Sequence, residues 1–211
     1  MPVNVVTLGV GGALEAAIRL PAAGFAANHA SPFLSGCVQN FGAAYRAPLT
    51  RESVAAMVAD LRIDMMRGDD RVFSPKSSLL FAPLHSVRGF LPLHGPAECV
   101  EACRQAFLED ADRCFRLLES DEPVVVLMCC AESAQAVYGR VARPVLSLSQ
   151  RAKRAFCLMS TLESGGLRRR AHGFYTMPFP RAAMPPLGPG AASVAAMYVR
   201  QTMESLGQLV F

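Results

Sequence analysis

The spacing of apolar and polar positions divides the chain into a few well-marked elements. The run VNVVTLGVGG (3–12) is β-branched at its start and closes on glycines, which predicts a strand. ALEAAIRLP continues it as a strand or a short helix that Pro21 ends. Residues 22–50, rich in Ala, Gly and aromatics, carry no periodicity that assigns them. In LTRESVAAMVADLRIDMM (49–66), Val54, Met57, Val58, Leu61 and Met65 recur at helical spacing behind Thr50, a side chain suited to an N-cap. GDD then breaks the pattern. SSLLFAPLHSVRGFLPLHGP (77–96) alternates short apolar runs with Pro and Gly, the pattern of strands and turns.

The strongest helical signal is PAECVEACRQAFLEDADRCFRLLES (96–120), with Val100, Cys103, Phe107, Ala111, Cys114 and Leu118 on one face. Pro123 follows it, and VVVLMCC (124–130) is then predicted as a buried strand from its length and β-branched start. SLSQRAKRAFCLMSTLES (147–164) is predicted as a helix that Gly165 and Gly166 terminate. Five prolines make YTMPFPRAAMPPLGPG (175–190) an irregular loop, and AASVAAMYVRQTMESLGQLVF is a terminal amphipathic helix. Helices and strands interleave without an internal repeat. The expected class is mixed α/β or α+β: a single compact domain over residues 1–211, with a mostly β core surrounded by helices.

Composition narrows the function classes. Apolar residues make up 52% of the 211 and charged residues 18%, so the chain has enough apolar surface for a core and is not of the disordered type. A net charge of +4 without a dense basic run argues against a nucleic-acid face. Lys76 and Lys153 stand against nineteen arginines, which together with abundant Ala, Gly and Pro reads as the mark of a GC-rich genome. No apolar window is long enough for a membrane span, and the apolar N-terminus lacks the cationic segment of a signal peptide. Seven cysteines without a CxxC pair suit reduced thiols in a cytosolic or nuclear compartment, and neither a cofactor nor a metal site is expected.

Several residues carry candidate chemistry, each beside a plainer structural account. His94, where a strand gives way to a helix in FLPLHGPAEC, suits a general base, because imidazole titrates near neutrality. A turn histidine also hydrogen-bonds locally. Ser164, before two glycines, can be presented on a tight turn as a nucleophile, or can simply end a helix. His172, after GGLRRRA, can orient a catalytic base or sit in a solvated loop. Arg168, Arg169, Arg170 and Arg181 offer forked donors to a carboxylate or a developing oxyanion, or belong to a solvated basic turn. Cys129 and Cys130 at a strand end, and Cys37 beside Gly36, are possible thiol nucleophiles, although strand cysteines mostly behave as small hydrophobes.

Read in order, VGGALEAAIRLP, LPLHGPAECVEA, RPVLSLSQRAKRAFCLMSTLESGGL, AHGFYTM and SVAAMYVRQ (193–201) resemble successive segments of the herpesvirus maturational serine proteases, the assemblin family. The resemblance implies a viral endopeptidase, active or decayed, that processes a capsid scaffold inside the host nucleus or cytoplasm. It places the first catalytic histidine at His94, the nucleophile near Ser164, the second histidine at His172 and an oxyanion-assisting arginine at Arg181. It also implies a homodimer through the last helix, with Val194, Met197, Met203 and Leu206 on the apolar face; that face can equally pack on its own core. The family's Ser-x-Ser is absent near Ser164 and stands only at a displaced position, Ser147 and Ser149 of SLS, the Ser164 to His172 interval is short, and residues 22–90 have no counterpart. FAANHASPFLSGCV (25–38), with LHGP and AVYG, is similar instead to the ADP-ribose-binding macrodomain, which implies a pocket of Asn28, Gly36 and Gly139. A third alternative is a viral structural or host-interaction protein without catalysis.

Overall fold

A computed structural model describes residues 4–9, 29–30, 37–39, 50–64, 71–74, 79–81, 96–130, 133, 135, 153–181 and 191–210. The described strands are β1 (Asn4–Gly9), β2 (His29–Ala30), β3 (Cys37–Gln39), β4 (Arg62–Asp64), β5 (Arg71–Ser74), β6 (Leu79–Phe81), β7 (Val124–Cys130), β8 (Arg154–Ser160), β9 (Arg168–Ala171) and β10 (Phe174–Pro178). The helices are α1 (Arg51–Val58), α2 (Pro96–Glu119) and α3 (Ala191–Val210). One sheet has the order β2-β1-β7-β8-β10-β9 and the other β3-β6-β5-β4. In the larger sheet all neighbours pair parallel except β10 with β9; every pair in the smaller sheet is antiparallel. The mixed α/β class expected from the interleaved pattern is the class found.

Strands covered on both faces read as unbroken apolar runs rather than alternations. VVVLMCC and RAFCLMS are of this kind, and all of β8 is buried. Their parallel registers align Val5 with Val125, Val125 with Ala155, Leu127 with Cys157 and Cys157 with Tyr175. These residues share one face, where Ala195, Ala196, Val199, Met203 and Leu206 of α3 complete the core. Val6, Val126, Phe156 and Phe174 project from the other face, and the two phenyl rings meet at 5.5 Å between centroids. α2 packs against β1 and β2 and buries Phe107, Ala111, Cys114 and Leu118 of the stripe its spacing predicts, together with Phe115.

α2 also joins the larger sheet to α1 and β4. Thr50 caps α1 reciprocally: its Oγ1 accepts from Ser53 N at 3.1 Å and its own N donates to Ser53 Oγ at 3.0 Å. Arg51 reaches Asp112 at 2.5 Å and Glu119 at 2.9 Å and lies 5.0 Å from the centroid of the Phe115 ring. At the other end of α1, Arg104 Nε donates to the Val58 carbonyl at 3.0 Å. This cap ends the helix at Val58, eight residues short of the 49–66 prediction, and residues 62–64 enter β4 instead.

Three further expectations are corrected. Residues 154–160 of the predicted 147–164 helix form β8. Ala155–Met159 is apolar at every position, which fits a strand buried on both sides as well as a buried helix, and Lys153 at φ 67 interrupts any helix just before it. Gly165 and Gly166 therefore follow a strand and end no helix. The basic run at 168–170 lies in β9 and not in a turn. Phe174–Pro178 extends as β10 between β8 and β9, so the irregular loop does not begin at 175.

The apolar face proposed for dimerisation mostly serves this core. Met203 and Leu206 are buried, Val194 packs against the core, and of these four only Met197 is turned out, at 60% exposure. No described helix is long and apolar enough to cross a membrane.

Candidate functional site

The parallel strands end in one row. Gly9 is paired with Cys129, Cys130 with Ser160, and Ser160 with Pro178. From β1 the chain goes to β2 on one side; it returns to β7 on the other and continues to β8 and β10. The strand order thus reverses between β1 and β7. In open α/β sheets ligands lie in the crevice beyond the carboxyl ends of the strands at such a reversal. Gly9 stands at that point, and the sequence continues Val10-Gly11-Gly12. A glycine there lets a ligand approach the backbone without meeting a Cβ.

Further along the same edge, residues 161–167 lead from β8 into β9. Ser160 holds their first turn: its carbonyl accepts from Glu163 N at 3.4 Å and Phe179 N at 3.0 Å, and its hydroxyl accepts from Leu162 N at 3.1 Å. The Glu163 side chain is only 10% exposed. Its carboxylate takes the Arg170 guanidinium and accepts from Thr176 Oγ1 at 3.5 Å, while Arg170 Nε donates to Thr176 Oγ1 at 3.0 Å. Arg170 is the extra residue of a β-bulge, since β9 pairs Ala171 with Phe174 and Arg169 with Tyr175. Gly165 has φ +86, and Arg168 Nη2 lies 2.8 Å from where its Cβ would stand. The result is a turn strapped to β10 by a charged knot in which Glu163 and Thr176 are shielded and Arg170 is exposed.

Ser164 lies exposed within this turn, and no hydrogen bond from its hydroxyl occurs among the described residues. His172 is exposed in the turn between β9 and β10, where Gly173 takes φ 68 and Arg169 Nη2 lies 3.3 Å from the imidazole Nδ1. β9 separates the two. Ser164 precedes its first residue and His172 follows its last, and the strand spans about 10 Å at ~3.3 Å per residue. The structure does not bring them together. Arg181 is exposed just beyond β10. His94, Asn28, Gly36 and Gly139 lie outside the described residues, as do all contacts expected of them.

The thiols of Cys114, Cys129 and Cys157 are buried. Burial pushes Cys114 and Cys157 well above the ordinary thiol value, which keeps them protonated and unreactive at neutral pH. Cys129 is buried too, in keeping with small hydrophobes in strands. Among the described residues no cluster of His, Cys, Asp and Glu could hold a metal ion.

Two features escaped the sequence. The Glu163–Arg170–Thr176 knot joins positions up to 13 apart that share no motif. The position of Gly9 at the reversal depends on strand order, although a glycine run closing the first strand was a signal that could have pointed to it. No family model, curated protein or solved structure matches the chain.

Proposed function

We propose that this chain is a binding module for a small phosphate-bearing ligand of the nucleotide type, held beyond the carboxyl ends of β1 and β7. The observation that carries the proposal is the reversal of strand order between these two strands, with Gly9 at the end of β1. The glycines at 9, 11 and 12 support it, because backbone N–H groups of residues without side chains suit phosphate oxygens. The proposal rests on architecture and glycine placement, and it keeps the nucleotide class of the macrodomain resemblance without its pocket residues. Assemblin-type catalysis would need His172 directed at a catalytic base, whereas the contact made by His172 is with Arg169.

Calorimetric titration with ADP, ADP-ribose and inorganic phosphate tests it. Binding of at least one of the nucleotides is expected, and Gly11→Val should weaken it by about tenfold or more while leaving the far-ultraviolet spectrum unchanged. The absence of heat with all three, or equal affinity in the variant, would reject the site.

A further inference from the structure

We propose that the outer edge of β9 is a docking strand for a short, acidic, extended segment of a partner protein. β9 is the last strand of the larger sheet, and among the described residues only β10 pairs with it. An edge strand leaves half of its N–H and C=O groups open to a further strand. Arg168, Arg169 and Arg170 are all exposed along it.

The charges on this edge are unequal. Arg170 is met by Glu163. Arg169 donates to the Ala171 carbonyl at 3.4 Å and touches the His172 ring, and Arg168 lies over Gly165. Arg168 and Arg169 therefore have no acidic partner among the described residues. Successive strand residues face opposite sides, so these two guanidinium groups would flank an added strand from both faces. A second copy of this chain is the wrong occupant, because edge-to-edge pairing would set three arginines against three. A segment with carboxylates on both faces matches the charge, and the bulge at Arg170 limits pairing to a short stretch.

The test uses the isotope-labelled full chain with a capped Val-Glu-Val-Asp-Val-Glu peptide, its counterpart with Lys at the acidic positions, and a twelve-residue oligothymidylate. The acidic peptide should bind and slow amide exchange within residues 168–171 by about tenfold. Arg168→Glu and Arg169→Glu should each weaken it by about fivefold or more, and the corresponding lysine variants by less. The proposal is overturned if the Lys peptide binds equally, if the acidic peptide binds without slowing these amides, or if the oligothymidylate alone binds. Both arginine side chains are exposed, so the charge reversals leave the core intact, and neither belongs to the β1–β7 crevice.

Discussion

At the amino-terminal edge of the parallel sheet, the strand starts are tied to the end of α2. Arg154, buried at the start of β8, donates to the carbonyls of Ser120 and Glu122, and Asn4 Nδ2 donates to Glu122 Oε2 at 2.7 Å. Asn4 N and Val124 N complete the set through the carbonyls of Pro123 and Lys153. The carboxyl-terminal edge is built otherwise. It carries a glycine at the strand-order reversal and an exposed turn held by one knot of side chains. At one edge the polar groups of Arg154, Asn4 and Glu122 join helix to sheet. At the other, Leu162, Ser164, Gly165 and Gly166 are exposed in the turn that leaves β8, on the edge where α/β sheets take ligands. The contrast separates positions that hold the fold from positions available for function.

The contrast can be broken most directly at Arg154. Replacing a buried guanidinium that satisfies helix-end carbonyls leaves those carbonyls unpaired, so Arg154→Leu should lower stability by about 3 kcal/mol in urea unfolding. Nucleotide binding at the opposite edge should survive in the folded fraction. A loss below about 1 kcal/mol would mean that the amino-terminal edge is no stronger than the other.

Next in size is the response of the core between the edges to alkali. The thiols of Cys114 and Cys157 have raised values in the folded chain, so folded protein retains protons that unfolded protein releases above the ordinary value of 9.0. Their contribution is complete below that pH and falls as pH rises through it, by about 1.4 kcal/mol per pH unit for each thiol. The urea midpoint measured from pH 8 to 10 should drop, and Cys157→Ala should flatten the slope. A midpoint independent of pH over this range would contradict the burial.

The smallest effects belong to the carboxyl-terminal turn. Gly165→Ala puts a side chain at φ +86 and should cost about 1 kcal/mol. The contact with the flexible end of Arg168 can relax. Gly166→Ala meets nothing within 4 Å and should change stability by less than about 0.5 kcal/mol. Equal costs for the two, by the same urea measurement, would show that the left-handed conformation is not what holds the turn.

How far the sequence could be read depended on which neighbours each element needed. α2 was legible because one stripe meets one surface, from Phe107 to Leu118. Thr50 was legible as a cap because its partner, Ser53, is three residues away. β8 was misread because AFCLM carries no period: a strand covered on both faces is apolar at every position, and so is a buried helix. The run at 168–170 looked like a solvated turn because its pairing partner, β10, comes after it and carries no charge to match. Of the candidate site residues, Ser164 and His172 were close in sequence, yet a strand between them sets them apart.

The sequence by itself determined the apolar stripe of α2, the cap at Thr50 and the mixed class, because each follows from residues within a few positions of one another. Only the tertiary structure decided that 154–160 is a strand, that Arg170 and Glu163 meet, and that β1 lies between β2 and β7. Strand order is a long-range choice: β1 and β7 are adjacent in space although more than a hundred residues separate them. The proposed binding crevice exists only as a consequence of that adjacency, so no local pattern could have located it.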